Sequence, residues 1–136
     1  MDRPALSIPS VEYEAMIRYL LSVYPLEGCG LMAGRQECVR RLYHVENILH
    51  SPVAYEMEPR QQLEAMLSVE KAGMELLGIY HSHPQGPETP SSNDVARATY
   101  PEVAHVIVSL ANRRRPVARA FAIVEGQIDE IQMAIV

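Results

Sequence analysis

Apolar and polar positions show two periodicities along this chain, one of about 3.6 residues and one of about two. The 3.6-residue periodicity predicts a helix that Ser10 caps and Pro25 ends, and a second helix that runs from Pro59 to Gly73. We expect the apolar face of each helix to pack on the core. The expected core positions are Val11, Ala15, Tyr19 and Leu20 in the first helix, and Leu63, Met66 and Leu67 in the second.

The two-residue periodicity predicts strands, and the last part of the chain consists of several strands joined by tight turns. A short third helix is expected to begin at Ser91 or Ser92 and to run to Tyr100. Because helices and strands interleave irregularly, we predict an α+β fold with a mixed, mostly antiparallel sheet. Glycines in the first strand indicate that a neighbouring segment comes close. The predicted strands cover residues 27–34, 39–48, 54–58, 75–83, 103–110, 117–124 and 127–135.

Length and composition favour one ordinary globular domain spanning residues 1–136. Of the 136 residues, 48% are apolar and 21% are charged, and both values are near the globular average. The formal net charge of −5 argues against a nucleic-acid-binding function, and no apolar run reaches the roughly 18 residues that cross a bilayer. We therefore expect a cytoplasmic protein without nucleic-acid or membrane partners.

Two cysteines and one basic run do not define a function by themselves. In a cytoplasmic chain, Cys29 and Cys38 are expected to be reduced thiols rather than a disulfide. The arginines at positions 113–115 lie in a predicted turn, which favours a solvated turn over a patch that binds an acidic partner.

Two histidines stand one residue apart at the end of the strand predicted for residues 75–83. Because side chains alternate along a strand, His81 and His83 project from the same side, and Ser82 faces the other way. Two neutral imidazoles on one side can bind one cation. Alone, such a pair is more often a polar strand end than a metal site, so the surrounding residues have to decide between the two interpretations.

The segment after His83 is a proline-rich loop that leads back to an aspartate, Asp94. Ser91 and Asp94 have the spacing of a capping box, which satisfies exposed N–H groups at a helix start. Asp94 can also approach the histidines, and two imidazoles with one carboxylate, leaving a fourth position to water, form the ligand set of a catalytic zinc site. The capping role and the ligand role do not exclude each other.

A glutamate at the start of the first predicted strand is the candidate catalytic base. Glu27 precedes Gly28, Cys29 and Gly30, and a strand of such small residues is an unusual place for a charge to enter. A zinc hydrolase needs a base that moves the proton of its attacking water. The alternative is an exposed carboxylate in a turn, and the position of Glu27 alone favours neither interpretation.

These residues together carry a family resemblance. The segments YPLEGCGLMAG and HSHPQGPETPSSND resemble the JAMM (MPN-plus) metallopeptidases, whose pattern is an upstream glutamate followed by H-x-H-x7-S-x-x-D. The fixed positions of this pattern are all matched, by Glu27, His81, His83, Ser91 and Asp94. The resemblance covers nearly the whole chain, from the first helix to the last strands.

The resemblance implies a fold and a set of residue roles. The fold is a curved β-sheet flanked by helices, of the JAMM/MPN-like and cytidine-deaminase-like type. Zinc would be bound by His81, His83 and Asp94. Glu27 would hold a water molecule beside the zinc and pass its proton to the leaving amine, and Ser91 would donate a hydrogen bond to that water or to the developing oxyanion.

The resemblance also implies a class of substrate. The chain lacks room for long insertions, so it is closer to the compact prokaryotic members, which act on ubiquitin-like or sulfur-carrier proteins at a C-terminal Gly-Gly tail. We expect a zinc peptidase or isopeptidase that cuts after such a tail and releases a conjugated lysine or a single amino acid such as cysteine. Two alternatives remain: a zinc hydrolase of small peptides or other amides, and a non-catalytic adaptor. The sequence leaves open whether the protein is a homodimer.

Overall fold

The structure is a computed structural model that describes residues 5–136. Within that range, three helices and seven strands form one α+β arrangement. The helices are α1 (Ser10–Ser22), α2 (Pro59–Lys71) and α3 (Ser92–Arg97). The strands are β1 (Ala5–Ile8), β2 (Cys29–Arg35), β3 (Cys38–Val45), β4 (Glu75–His83), β5 (Ala104–Ser109), β6 (Val117–Val124) and β7 (Gln127–Ile135).

The strands form one mixed sheet that curves until it closes. Their order around the sheet is β1-β3-β2-β4-β5-β6-β7, and β7 pairs with β1 again. The pairs β1–β3, β1–β7 and β4–β5 are parallel, and the other four are antiparallel. The predicted α+β fold with a curved, mostly antiparallel sheet is therefore confirmed.

The central strand β4 is covered on both faces, which explains its nearly continuous apolar sequence. Tyr80 packs in a cluster that contains Met16 and Leu20 of α1. The preceding residue, Ile79, points to the opposite face and packs in a second cluster that contains Ala65 of α2. Because β4 is held from both sides, the position of its polar end is fixed.

The close approach predicted for the first strand occurs at Gly30 of β2. A Cβ atom at this position would overlap the hydroxyl group of Tyr80 and the carbonyl group of Tyr43. Glycine is required here for lack of space, since the phenol of Tyr80 occupies the place where a side chain would be.

Several sequence predictions about single elements are wrong. Residues 54–58 form no strand, and only an isolated bridge joins Asn47 to Met57. The strand β1 was not predicted, because its pairing with β7 is remote in sequence. The helix α3 ends at Arg97, three residues before Tyr100, because the backbone of Ala98 is extended.

The helix caps and helix faces also differ from expectation. Ser10 makes no capping hydrogen bond through its side chain, and α1 instead begins after Pro9. Val11 is 68% exposed, and Leu63 and Leu67 of α2 are more than half exposed, so helical spacing misassigned these three residues to the core. Among the described residues, no helix is long and apolar enough to cross a membrane.

Candidate metal centre

The polar end of β4 carries the two histidines of the H-x-H motif. Both rings project from the same face of the strand, as the alternation predicted, and their centroids lie 4.8 Å apart. The Nε2 atoms of His81 and His83 are only 3.1 Å from each other. Both residues are buried, with 1% and 7% exposure, so these two nitrogens meet in a site that is largely closed to solvent.

Asp94, in the first turn of α3, closes the group from the other side. Its Oδ1 lies 3.2 Å from Nε2 of His81, and its Oδ2 lies 3.0 Å from Nε2 of His83. Burial opposes ionisation of this carboxyl group, but hydrogen bonds with both histidines and with the backbone of Ser91 outweigh burial and hold the pKa of Asp94 far below its usual value. Asp94 is therefore a carboxylate at neutral pH.

The hydrogen bonds of Ser91 form the capping box that the sequence predicted. The Oγ atom of Ser91 accepts a hydrogen bond of 3.1 Å from the backbone N–H of Asp94, whose carboxylate accepts one of 2.9 Å from the backbone N–H of Ser91. The same carboxylate faces the histidines. One residue pair thus starts the helix and turns a charged oxygen toward the site.

The loop between the histidines and α3 fixes the orientation of His83. Its Nδ1 lies 2.7 Å from the backbone carbonyl of Pro87. Because a carbonyl group only accepts hydrogen bonds, Nδ1 carries a proton, and Nε2 is the nitrogen that faces Asp94 and would bind a metal ion after losing its own proton. Nε2 points at the meeting place of His81 and Asp94.

Glu27, two residues before β2, reaches the same place and is only 4% exposed. One carboxylate oxygen of Glu27 and one ring nitrogen each of His81 and His83 lie within 4.8 Å of one another. Its Oε1 is buried and has no hydrogen-bond partner among the described residues. Burial raises the pKa of Glu27 to about 7; the nearby His83 opposes this rise and Asp94 adds to it. The interpretation as an exposed turn carboxylate is therefore wrong.

The backbone around Glu27 is held by residues that sequence reasoning did not assign to the site. The N–H of Gly28 donates to the buried Oγ of Ser82, and the N–H of Ser82 donates to the carbonyl of Gly28. Asn47 donates through Nδ2 to the carbonyls of Glu27 and Ala54. The alternation of β4 indicates that Ser82 lies on the opposite face from the histidines. No sequence pattern identifies Asn47 as a residue that supports the site.

The donor set fits a divalent metal ion. Two imidazole nitrogens and a carboxylate converge, and the unpartnered oxygen of Glu27 lies beside them. Two imidazoles and two carboxyl groups at this spacing are stabilised by positive charge between them, which protons on the rings or a metal ion can supply. The structure thus brings together four of the sequence-predicted residues, with Ser91 at the edge of the group.

Comparison with known proteins places this fold and site in a family. A family model described as prokaryotic homologs of the JAB domain matches residues 9–124. The chain belongs to this family. The resemblance to JAMM metallopeptidases of the compact prokaryotic type is confirmed, and with it the assignment of the chain as an enzyme of the metallopeptidase class.

Two curated relatives and one solved structure illustrate the similarity. A probable TtuB-protein conjugate cleaving protease of Thermus thermophilus is 40% identical over 123 residues, which are 90% of this chain and 78% of the relative. A CysO-cysteine peptidase of Mycobacterium tuberculosis is 33% identical over 118 residues, 85% of this chain and 81% of the relative. The solution structure of protein DSY2949 from Desulfitobacterium hafniense superimposes with a TM-score of 0.88 at 33% identity, covering 96% of this chain and 92% of that one.

Proposed function

We propose that this protein is a zinc-dependent peptidase that hydrolyses the amide bond after the C-terminal Gly-Gly tail of a ubiquitin-like or sulfur-carrier protein. The observation that carries the proposal is the convergence of His81, His83 and Asp94 beside the buried carboxyl group of Glu27. The substrate class is supported by the two relatives, which are named for cleaving TtuB-protein conjugates and CysO-cysteine. The proposal treats residues 1–136 as one domain that acts in the cytoplasm.

We assign the zinc to His81, His83 and Asp94. The two ring nitrogens lie 3.1 Å apart, and each faces a different oxygen of Asp94 at 3.0 to 3.2 Å, so the three side chains would hold one ion between them. When bound there, zinc supplies a Lewis acid that polarises a carbonyl group and lowers the pKa of water.

Glu27 acts as the general base and then as the general acid. Its carboxylate takes a proton from the attacking water and delivers it to the departing amine nitrogen, so the proton count balances over the reaction. Burial has raised the pKa of Glu27 to about 7, and a group with this pKa exchanges protons in both directions near neutrality. The position of Glu27 is fixed by the hydrogen bonds of Gly28 and Asn47 described above.

Ser91 stabilises the negative charge that develops on the carbonyl oxygen. Its Oγ already accepts a hydrogen bond from the backbone of Asp94, so its own proton is free to be donated. Ser91 is not a nucleophile in this mechanism, because none of its hydrogen bonds joins it to a histidine that would deprotonate it.

Tail fusions test the proposal. Candidate ubiquitin-like and sulfur-carrier proteins that end in Gly-Gly, joined to cysteine or to the side chain of a lysine, are incubated with protein purified without chelator. We expect one zinc per chain by mass spectrometry, and cleavage that a chelator abolishes and added zinc restores. The Glu27→Gln variant should lose at least about 10²-fold in kcat, whereas the exposed control Glu14→Gln should keep full activity.

The outcomes separate the proposal from its alternatives. Full activity of Glu27→Gln, or protein without bound metal that still cleaves, would contradict the proposed mechanism. Cleavage of small peptides but of no tail fusion would favour a hydrolase without a protein partner. Zinc binding without any cleavage would favour an adaptor, although a buried, unpartnered carboxyl group such as that of Glu27 has no use in an adaptor.

A further inference from the structure

A cavity of about 180 Å³ lies beneath α3, next to the metal centre. His81 and Asp94 line one end of it, and Ile107 and Ile123 belong to its apolar wall. A cavity of roughly 150 Å³ inside a protein is large enough to bind benzene. The cavity beneath α3 therefore has room for one side chain of a bound substrate.

Each charged group that lines this cavity already has a partner. Arg97 lies 3.3 Å from the carboxylate of Glu56 and also donates to the carbonyl of Tyr55. The carboxylate of Asp94 is held by the two histidines of the metal centre. A cationic ligand would find no unpaired carboxylate here and would approach the metal ion. The cavity thus favours an uncharged ligand.

The uncharged polar side chains of the cavity wall include two rings that each have a polar atom without a hydrogen-bond partner among the described residues. His105 is 7% exposed, and its Nε2 is buried without a partner among the described residues. The other ring nitrogen, Nδ1, makes a hydrogen bond with the backbone of Tyr100, and this bond holds the ring in place. The ring of Tyr55 packs on His81 with 4.7 Å between centroids, and within residues 5–136 nothing hydrogen-bonds to its hydroxyl group.

The protonation of His105 defines what it can bind. Burial lowers its pKa, so the ring is neutral near pH 7. Because the carbonyl of Tyr100 only accepts, the proton lies on Nδ1, and Nε2 is a hydrogen-bond acceptor. Tyr55 can both donate and accept. A purely apolar ligand would leave the buried Nε2 of His105 without a partner and would cover the hydroxyl group of Tyr55, which is unfavourable.

Building on the proposed function, we infer that this cavity binds one side chain of the substrate tail, and that this side chain has an apolar stem and a hydroxyl or carboxamide tip recognised by Tyr55 and His105. The two residues are then specificity-determining residues of the peptidase. The glycines at the scissile bond have no side chain, so the recognised residue lies further upstream in the tail.

Matched peptides test the inference. All peptides end in Gly-Gly-aminomethylcoumarin and differ at one of the three positions before the glycines. Each position carries either the polar or the apolar member of a pair of similar shape. The pairs are threonine and valine, glutamine and methionine, and tyrosine and phenylalanine. With the zinc-loaded wild type we expect kcat/KM to favour the polar member of at least one pair by about tenfold or more. Tyr55→Phe or His105→Leu should reduce that preference to near unity, while the exposed control His50→Leu should leave it unchanged.

A second measurement does not depend on catalysis or on the folding of variants. The product peptides, ending in the Gly-Gly carboxylate, are added to zinc-loaded wild type with nitrogen-15 in its histidines. The Nε2 resonance of His105 should move upfield with the polar member of the preferred pair and stay in place with the apolar member, because only the polar member donates a hydrogen bond.

The results distinguish this inference from the proposed function. Equal kcat/KM within every pair, or a wild-type preference retained in both variants, overturns the inference while cleavage itself supports the peptidase. If no peptide is cleaved but a tail fusion is, the proposed function stands and the resonance of His105 alone decides the cavity; if neither is cleaved, the proposed function fails. A resonance that no peptide moves overturns the inference.

Discussion

Ser91 uses one hydroxyl group for two purposes. Its oxygen accepts the hydrogen bond that caps α3, and its proton is assigned to the developing oxyanion. From sequence alone the capping box and the catalytic motif could not be separated, because both need a serine three residues before an aspartate. The structure shows the capping bonds, and substitutions can separate the two functions.

We expect Ser91→Ala to lose both functions and Ser91→Asp to lose only one. Alanine removes the cap, which costs about 1 kcal/mol, and the donor, which costs about 10²-fold in kcat. Aspartate restores an acceptor for the cap but has no proton to donate at neutral pH. Thermal unfolding and hydrolysis of a tail fusion measure the two effects, and a Ser91→Asp variant with full activity would contradict the catalytic role.

The two cysteines should differ in reactivity, since they make no disulfide. Cys29 is fully buried and donates a hydrogen bond to the carbonyl of Val45, and burial raises the pKa of its thiol to about 12, with a further rise from the nearby Glu27. The reactive species is the thiolate, so a raised pKa protects this thiol. Cys38 is partly exposed.

At pH 8, iodoacetamide should therefore modify Cys38 in the folded protein and modify Cys29 only after unfolding. Mass spectrometry of peptides after timed labelling gives the two rates, with urea-unfolded protein as the reference in which both thiols react. Equal labelling of the two cysteines in the folded state would show that β2 opens to solvent.

At the scale of elements, the register between β2 and β4 builds the site. Cys29 pairs with His81 across the two strands, which puts Glu27 beside the histidines although more than fifty positions separate them in sequence. Ser82 extends this pairing past the end of β2 by accepting from the N–H of Gly28. The middle residue of the H-x-H motif thus positions Glu27, the proposed base.

We expect Ser82→Ala to lower both stability and kcat. The substitution leaves the buried N–H of Gly28 without an acceptor, which costs about 1–3 kcal/mol, and it loosens Glu27 relative to the histidines. Ser68→Ala is the matched control, because Ser68 also loses one hydrogen bond, to Tyr43, away from the site. Unfolding by urea and steady-state kinetics are compared, and a Ser82→Ala enzyme with wild-type kcat would exclude the positioning role.

Long strands with regular alternation were predicted closely, and short or irregular elements were not. The bounds of β4, β6 and β7 agree with the sequence, because each is a run of eight or nine residues bounded by turn residues. Residues 54–58 belong to a loop held by Asn47, and side-chain hydrogen bonds of that kind have no period. Exposure of Leu63 and Leu67 was missed because helical spacing does not say how wide the covered face is.

At the scale of the whole molecule, metal binding should stabilise the fold. The three proposed ligands come from β4 and α3, and Glu27 lies two residues before β2, so a bound ion would link elements that are distant along the chain. A metal that binds only the folded state stabilises it by about 3 kcal/mol when its concentration is 100 times its dissociation constant.

Removal of the metal by a chelator should accordingly lower Tm by roughly 10 °C, and zinc should restore it. Differential scanning calorimetry of the wild type and of His83→Ala measures this shift, which should be much smaller in the variant because one ligand is missing. Magnesium, which prefers oxygen donors, is the control ion. A Tm that is insensitive to chelator would contradict a metal site of this composition.

The sequence by itself determined the fold class and the strands with clear alternation, and it indicated which residues converge at the candidate metal centre, because alternation along β4 and the fixed spacing from His81 to Asp94 are local properties of the chain. Only the tertiary structure decided that Glu27 is buried, that Ser82 and Asn47 hold its backbone, and that Tyr55 and His105 line one cavity. These relations depend on strand register and on hydrogen bonds between remote segments, and neither leaves a periodic trace in the order of the amino acids.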